Sequence, residues 1–182
     1  MSDPLGKELY AAKNGRASEV SFLLRDHPEV DINWTNEYSW TALQVASRNG
    51  LAEVVKLPLA HSKIEVNLKD WSGQTPFSKG CEHGQVSVVE VLVKNPRVDV
   101  TQDDSLGCTP LWWASWKGKH EVIEWLVASG KDLGTLRTRK GNMMAKNTKP
   151  LKLQESSRTR LKLCRCWKGS WQTQHRPDMR FE

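Results

Sequence analysis

Four short segments of the chain align on one glycine each: Ala11-Ala12-Lys13-Asn14-Gly15, Val45-Ala46-Ser47-Arg48-Asn49-Gly50, Gly80-Cys81-Glu82-His83-Gly84 and Trp113-Ala114-Ser115-Trp116-Lys117-Gly118. Successive glycines stand 35, 34 and 34 residues apart. A fixed period of roughly 20 to 50 residues implies supersecondary units that cannot bury their apolar faces alone and must stack side by side. The feature therefore selects a solenoid before any single element is assigned.

The punctuation within each unit specifies helices. Nine residues before the glycine stands Thr41, Thr75 or Thr109, followed by Ala42, Pro76 or Pro110 and then Leu43, Phe77 or Leu111. The threonine hydroxyl can accept a backbone N–H at a helix start, proline at the first helical position loses no hydrogen bond, and glycine tolerates the left-handed backbone that ends a helix. Small residues before the glycine allow close helix approach. A second apolar helix is expected at Val20-Ser21-Phe22-Leu23-Leu24, Val54-Val55-Lys56-Leu57, Val88-Val89-Glu90-Val91-Leu92 and Val122-Ile123-Glu124-Trp125-Leu126. An extended piece, such as Val30-Asp31-Ile32-Asn33 or Val98-Asp99-Val100, then leads into the next unit.

The stretch Thr109-Pro110-Leu111-Trp112-Trp113-Ala114-Ser115-Trp116-Lys117-Gly118 resembles the Thr-Pro-Leu-His-x-Ala-Ala-x-x-Gly motif of the ankyrin repeat family. The resemblance covers residues 5–134 in four in-phase copies, about 5–35, 36–69, 70–103 and 104–134. It implies an all-α solenoid of stacked antiparallel helix pairs with short β-hairpin turns. Gln44, Ser78 and Trp112 stand where the family has its histidine. The first copy lacks Thr-Pro, as suits an N-terminal cap with a more polar outer face.

Two departures fall in the second and third copies. Pro58 lies inside an outer helix, where it removes a hydrogen bond at a cost of about 3 kcal/mol, so a kink or early stop is expected. Lys79 and Gly80 replace a large apolar residue and an alanine of the family. Because an unpaired buried ammonium is costly, Lys79 is expected to run its stem outward to solvent, and this inner helix to be the least stable.

Ankyrin stacks bind partners on the hairpin tips and the exposed side of the first helices. Carried across by resemblance, that face comprises Lys13 and Asn14; Glu37, Tyr38, Trp40, Arg48 and Asn49; Trp71, Ser72, Gln74, Glu82 and His83; then Ser105, Leu106, Cys108, Trp116 and Lys117. Three tryptophans and a tyrosine in this set suit an interface, where Trp, Tyr and Arg dominate the energetics. Trp40 and Trp71 have an alternative task in covering the hairpin turns. Trp112, Trp113 and Trp125 read as core. His27, His61, His83 and His120 have no acidic or cysteine partner at ligand spacing and read as solvated or capping residues.

Beyond residue 134 the chain changes character. Residues 1–134 carry 14 Lys+Arg against 18 Asp+Glu, a net of −4, whereas residues 135–182 carry 13 against 3, a net of +10. Such a basic segment, poor in aliphatic residues, is expected to be disordered. A second reading makes it an overlapping-frame version of a fifth repeat. Every cysteine codon begins TG, so codons bridging Leu163 to Cys164 and Arg165 to Cys166 must encode Val, Leu or Met. The codons bridging Cys166 to Trp167 and Trp167 to Lys168 must encode Leu and Glu. That is the apolar-x-apolar-Leu-Glu order of an outer helix, and residues 149–155 permit the composition of an inner helix upstream.

The expected function is a non-catalytic protein–protein interaction module, a scaffold or adaptor, with nucleic-acid or anionic-membrane binding through the basic tail as the alternative. No nucleophile–base pair, phosphate-cradling loop or metal motif is present in the sequence, so no cofactor, metal or small-molecule substrate is expected. Cys81, Cys108, Cys164 and Cys166 offer no Cys-x-x-Cys spacing and read as reduced thiols. With no secretory pattern at Met1-Ser2-Asp3-Pro4-Leu5-Gly6-Lys7, a monomer in the cytoplasm is expected, the nucleus being the alternative.

Overall fold

The computed structural model describes residues 11–27 and 31–133. The expectations for residues 135–182 lie outside them. Residues 11–13 are helical, and seven further helices follow: α1 (Ala17–Asp26), α2 (Ala42–Asn49), α3 (Ala52–Leu59), α4 (Pro76–His83), α5 (Val86–Lys94), α6 (Pro110–Trp116) and α7 (His120–Ala128). Turns connect them, with no strand among the described residues. The hairpins are therefore present as turns without a ladder.

The inner helices begin as their sequence dictates. Thr41 Oγ1 accepts from the Gln44 backbone N–H at 3.1 Å while Gln44 Oε1 accepts from the Thr41 N–H at 2.8 Å, a reciprocal capping box. Thr75 and Thr109 accept from the backbones of Ser78 and Trp112 at 3.2 and 3.3 Å, each with proline at the first helical position. At Gly50 the backbone takes φ 78°, a left-handed cap that lets its N–H reach the Ala46 and Ser47 carbonyls.

Inner helices α2, α4 and α6 pack in one row and outer helices α1, α3, α5 and α7 in a second, each inner helix also contacting the outer helix that follows it. The core lies between the rows, where Leu43, Phe77, Val20, Val55, Val88, Val89, Leu92, Val122 and Leu126 are almost wholly buried. Ala46 and Ala114 are fully buried where inner helices meet. Between units, Asn33 donates to the Lys63 carbonyl at 3.0 Å and accepts from the Glu65 N–H at 2.8 Å; Asn67 repeats this with Arg97 and Asp99.

Pro58 sits in the last turn of α3, which stops one residue later at Leu59. The exposed carbonyls there are taken up from the next unit: Arg97 donates to the Leu59 carbonyl at 2.6 Å and to that of His61 at 3.3 Å. A cation at a helix C-terminus also complements its dipole.

Lys79 departs from its expectation. It is 6% exposed and its ammonium turns into the stack, because Asp70 Oδ2 waits there at 2.7 Å. The penalty for burying an ammonium is offset by a buried counter-charge, which removes the reason to reach for solvent.

Candidate functional site

Each hairpin turn is locked by one acidic or amide side chain six residues before the first inner-helix residue. Asn36 Oδ1 accepts from the backbones of Tyr38 and Trp40 at 2.9 and 3.0 Å. Asp70 Oδ1 accepts from Ser72 and Gln74 at 3.0 and 2.9 Å, and Asp104 Oδ1 from Leu106 and Cys108 at 2.8 Å each. Such side-chain-to-backbone bonds fix a turn without a strand ladder. Neighbouring tips are also joined directly, since the Ser105 N–H donates to the Ser72 carbonyl at 3.0 Å. Gly73, at φ 78°, makes that approach feasible: a Cβ there would come within 2.4 Å of the Ser105 nitrogen.

The second oxygen of each aspartate reaches the inner helix nine residues on. Asp70 Oδ2 pairs with Lys79, and Asp104 Oδ2 accepts from the Trp113 indole N–H at 2.9 Å. At the same step from Asn36 stands Val45, an uncharged partner for an uncharged amide. Burial alone would push the Asp70 carboxyl up, but hydrogen bonds from Lys79, Ser72 and the Gln74 backbone, with the Lys79 charge, hold it below the usual carboxylate range.

Around this pair lies a continuous polar and aromatic surface. Lys79 also donates to Gln74 Oε1, and Gln74 Nε2 donates to Glu82 at 2.9 Å. The Lys79 ammonium and the Arg48 guanidinium lie 5.2 and 5.1 Å from the Trp40 ring centre, within cation–π range. Arg48 Nε donates to His83 Nε2 at 3.3 Å, and His83 Nδ1 lies 3.1 Å from the Lys79 carbonyl, an arrangement that suits a neutral imidazole with its proton on Nδ1. Burial, with the charges of Arg48 and Lys79, outweighs the Lys79 carbonyl and Glu82 and holds the His83 pKa below its ordinary value. The aromatics continue along α6, where Trp112 stacks on Trp116 at 5.2 Å and 13° and meets Trp113 edge-on at 5.1 Å.

Most of the expected face is accessible. Lys13, Asn14, Glu37, Tyr38, Arg48, Asn49, Trp71, Ser72, Ser105, Leu106, Trp116 and Lys117 are exposed, and Trp40, Glu82 and His83 are half-buried. Gln74 and Cys108 are not accessible. Gln74 turns inward to satisfy Lys79 and Glu82, and the Cys108 side chain follows its buried turn, its thiol pushed up to about 11 by burial and by Asp104 and Asp103. Trp112, Trp113 and Trp125 are half-buried rather than sealed. His83, half-buried in the last turn of its helix, reaches the Lys79 carbonyl and also joins the network through Arg48. Sequence reading missed Asp70, Asp104 and Lys79 as organisers of the face. Their signal was the recurrence of Asn36, Asp70 and Asp104 at intervals of 34 residues.

Two rows of short antiparallel helices with protruding turns at one edge define a helical-repeat solenoid. The family model described as Ankyrin repeats (3 copies) matches residues 9–70 and 63–136, well over half of the chain, which therefore belongs to the ankyrin repeat family. Ankyrin repeats are generally protein–protein interaction modules and typically non-catalytic. Comparison with curated proteins returns no match. Among the described residues no three His, Cys, Asp or Glu side chains are grouped so as to hold a metal, and no helix is long and apolar enough to cross a membrane.

Proposed function

We propose that the chain captures another protein along its turn edge and the adjoining inner-helix surface, with Tyr38, Trp71 and Leu106 as apolar anchors. The observation that carries this is the exposure of those three side chains, 55%, 72% and 61%, on three successive turns that are each closed by side-chain hydrogen bonds. Tyr38 and Trp71 meet edge-on at 6.0 Å. Large apolar groups are normally withdrawn from water, and a row of them beside Arg48, His83 and Lys117 has the composition of an interface core with a polar rim. Locked turns reduce the ordering cost of association. Cys81 and Cys108 are free thiols, as a cytoplasmic adaptor would carry.

The test compares partners retained from lysate by the chain and by its Tyr38→Ala/Trp71→Ala variant, with matched thermal melts. The expected result is a protein held by the first and lost by the second. Retention unchanged in the variant would remove these anchors from the interface.

A further inference from the structure

The fourth helix pair presents a face built to receive another repeat. In the second and third pairs the apolar positions Leu43 and Phe77 are each 1% exposed, and Val55 and Val89 are fully buried. The equivalent residues Leu111 and Ile123 of the fourth pair are only half-buried. Gln44 donates across the same seam to the Leu68 and Gln74 carbonyls at 3.0 and 3.1 Å, whereas Trp112, in its register, stacks on Trp116. A terminal repeat carries a polar outer face. This one carries leucine, isoleucine and tryptophan.

We propose that the occupant of this face is a fifth ankyrin repeat, encoded in the overlapping reading frame of the codons for residues 143–170. The genetic code leaves little freedom at the diagnostic positions. Met143-Met144 is ATGATG, so the bridging codon is GAT, aspartate; Met144-Ala145 then yields GGC, glycine. Six codons after that aspartate, the one bridging Lys149 to Pro150 encodes only Ala or Thr. In the structure Asp70 and Asp104 lock their turns six residues before Pro76 and Pro110, and Asn36 six before Ala42. The required aspartate thus stands at the turn-lock distance from the helix start that follows it, 39 codons after Asp104 where the earlier interval is 34, so the connection leading into it is longer by five. The compulsory Val/Leu/Met at Leu163–Cys164 and Arg165–Cys166, with Leu then Glu after them, repeat the order of Ile123-Glu124-Trp125-Leu126, displaced by one residue in the linking turn. Half of residues 164–171 are Cys or Trp, as results when the NTG codons of apolar residues are read one base out of phase.

The test begins with the coding DNA, where the shifted frame must be open from Met143 to Ser170. Two full chains are then made from it: the chain as it stands, and one with a single base inserted ahead of the Met143 codon. The shifted chain is expected to melt higher by at least about 5 °C. Leu111→Lys should abolish the gain in the shifted chain. A stop codon in that window, a shifted chain that fails to fold or melts no higher, or a gain that survives Leu111→Lys overturns the proposal. So does sedimentation of the present chain as a dimer that Leu111→Lys dissociates, which would assign the face to a second copy.

Discussion

Lys79 Nζ and Asp70 Oδ2 lie 2.7 Å apart with both side chains nearly sealed from solvent, 8% and 3% exposed. The pair joins the third turn to the inner helix it precedes, while the other Asp70 oxygen holds the turn itself. Asp104 and Trp113 make the same connection one repeat later with a neutral donor, and Asn36 with Val45 leaves it out. The identity of the turn residue follows what its inner helix can offer.

Lys79→Val should cost about 3–5 kcal/mol, because it leaves a buried carboxylate without its counter-charge. Adding Asp70→Asn reproduces the Asn36/Val45 pairing of the second repeat and should restore most of the loss. Chemical denaturation of the two single variants and the double variant closes the cycle. A double variant as unstable as the sum of the singles would refute the coupling.

Stability should decline as pH falls from about 7 toward 5, and part of that decline belongs to His83. Its folded pKa is below the ordinary value, so the unfolded chain takes up the proton first as pH drops through about 6.5. The contribution is complete above that pH, diminishes toward the folded pKa and is constant below it. His83→Gln should therefore flatten the melting-temperature profile in this window. Profiles that stay parallel would contradict the assignment.

Gly80→Ala should stabilise the chain by about 1 kcal/mol, the usual gain from replacing glycine inside a helix. A Cβ at Gly80 would sit 3.4 Å from methyl groups of Val88 and Val89, ordinary packing distance. Differential scanning calorimetry should show a melting point raised by a few degrees. A lowered one would mean that α4 and α5 cannot give way.

Trp116→Ala should weaken partner binding by about 2 kcal/mol or more if the α6 surface belongs to the interface, roughly thirtyfold in affinity. Trp116 is 41% exposed and its ring stacks on Trp112, so the cost to folding should remain near the about 0.5–1.5 kcal/mol of an aromatic pair. Titration against the captured partner, alongside a thermal melt, separates the two. A collapse of the melt with binding intact would place Trp116 in the core.

The helix pairs and their order were legible from local chemistry alone. Thr41, Thr75 and Thr109 cap through hydroxyls a few residues from their targets, prolines at 76 and 110 are tolerated only at a helix start, and the glycine period sets the stacking repeat; none of this needs a distant residue. Most of the exposed face followed from the same register. What only the tertiary structure decided was the fate of polar groups whose partners come from another element. Lys79 reads as a residue that should escape to water until Asp70, on the turn before it, is brought to 2.7 Å. Gln74 and Cys108 read as accessible until Lys79, Glu82 and the packed turns draw them in. Periodicity specifies which side of a helix a residue occupies, but the free energy of burying a charge depends on what stands opposite it, and that is set only when the repeats stack.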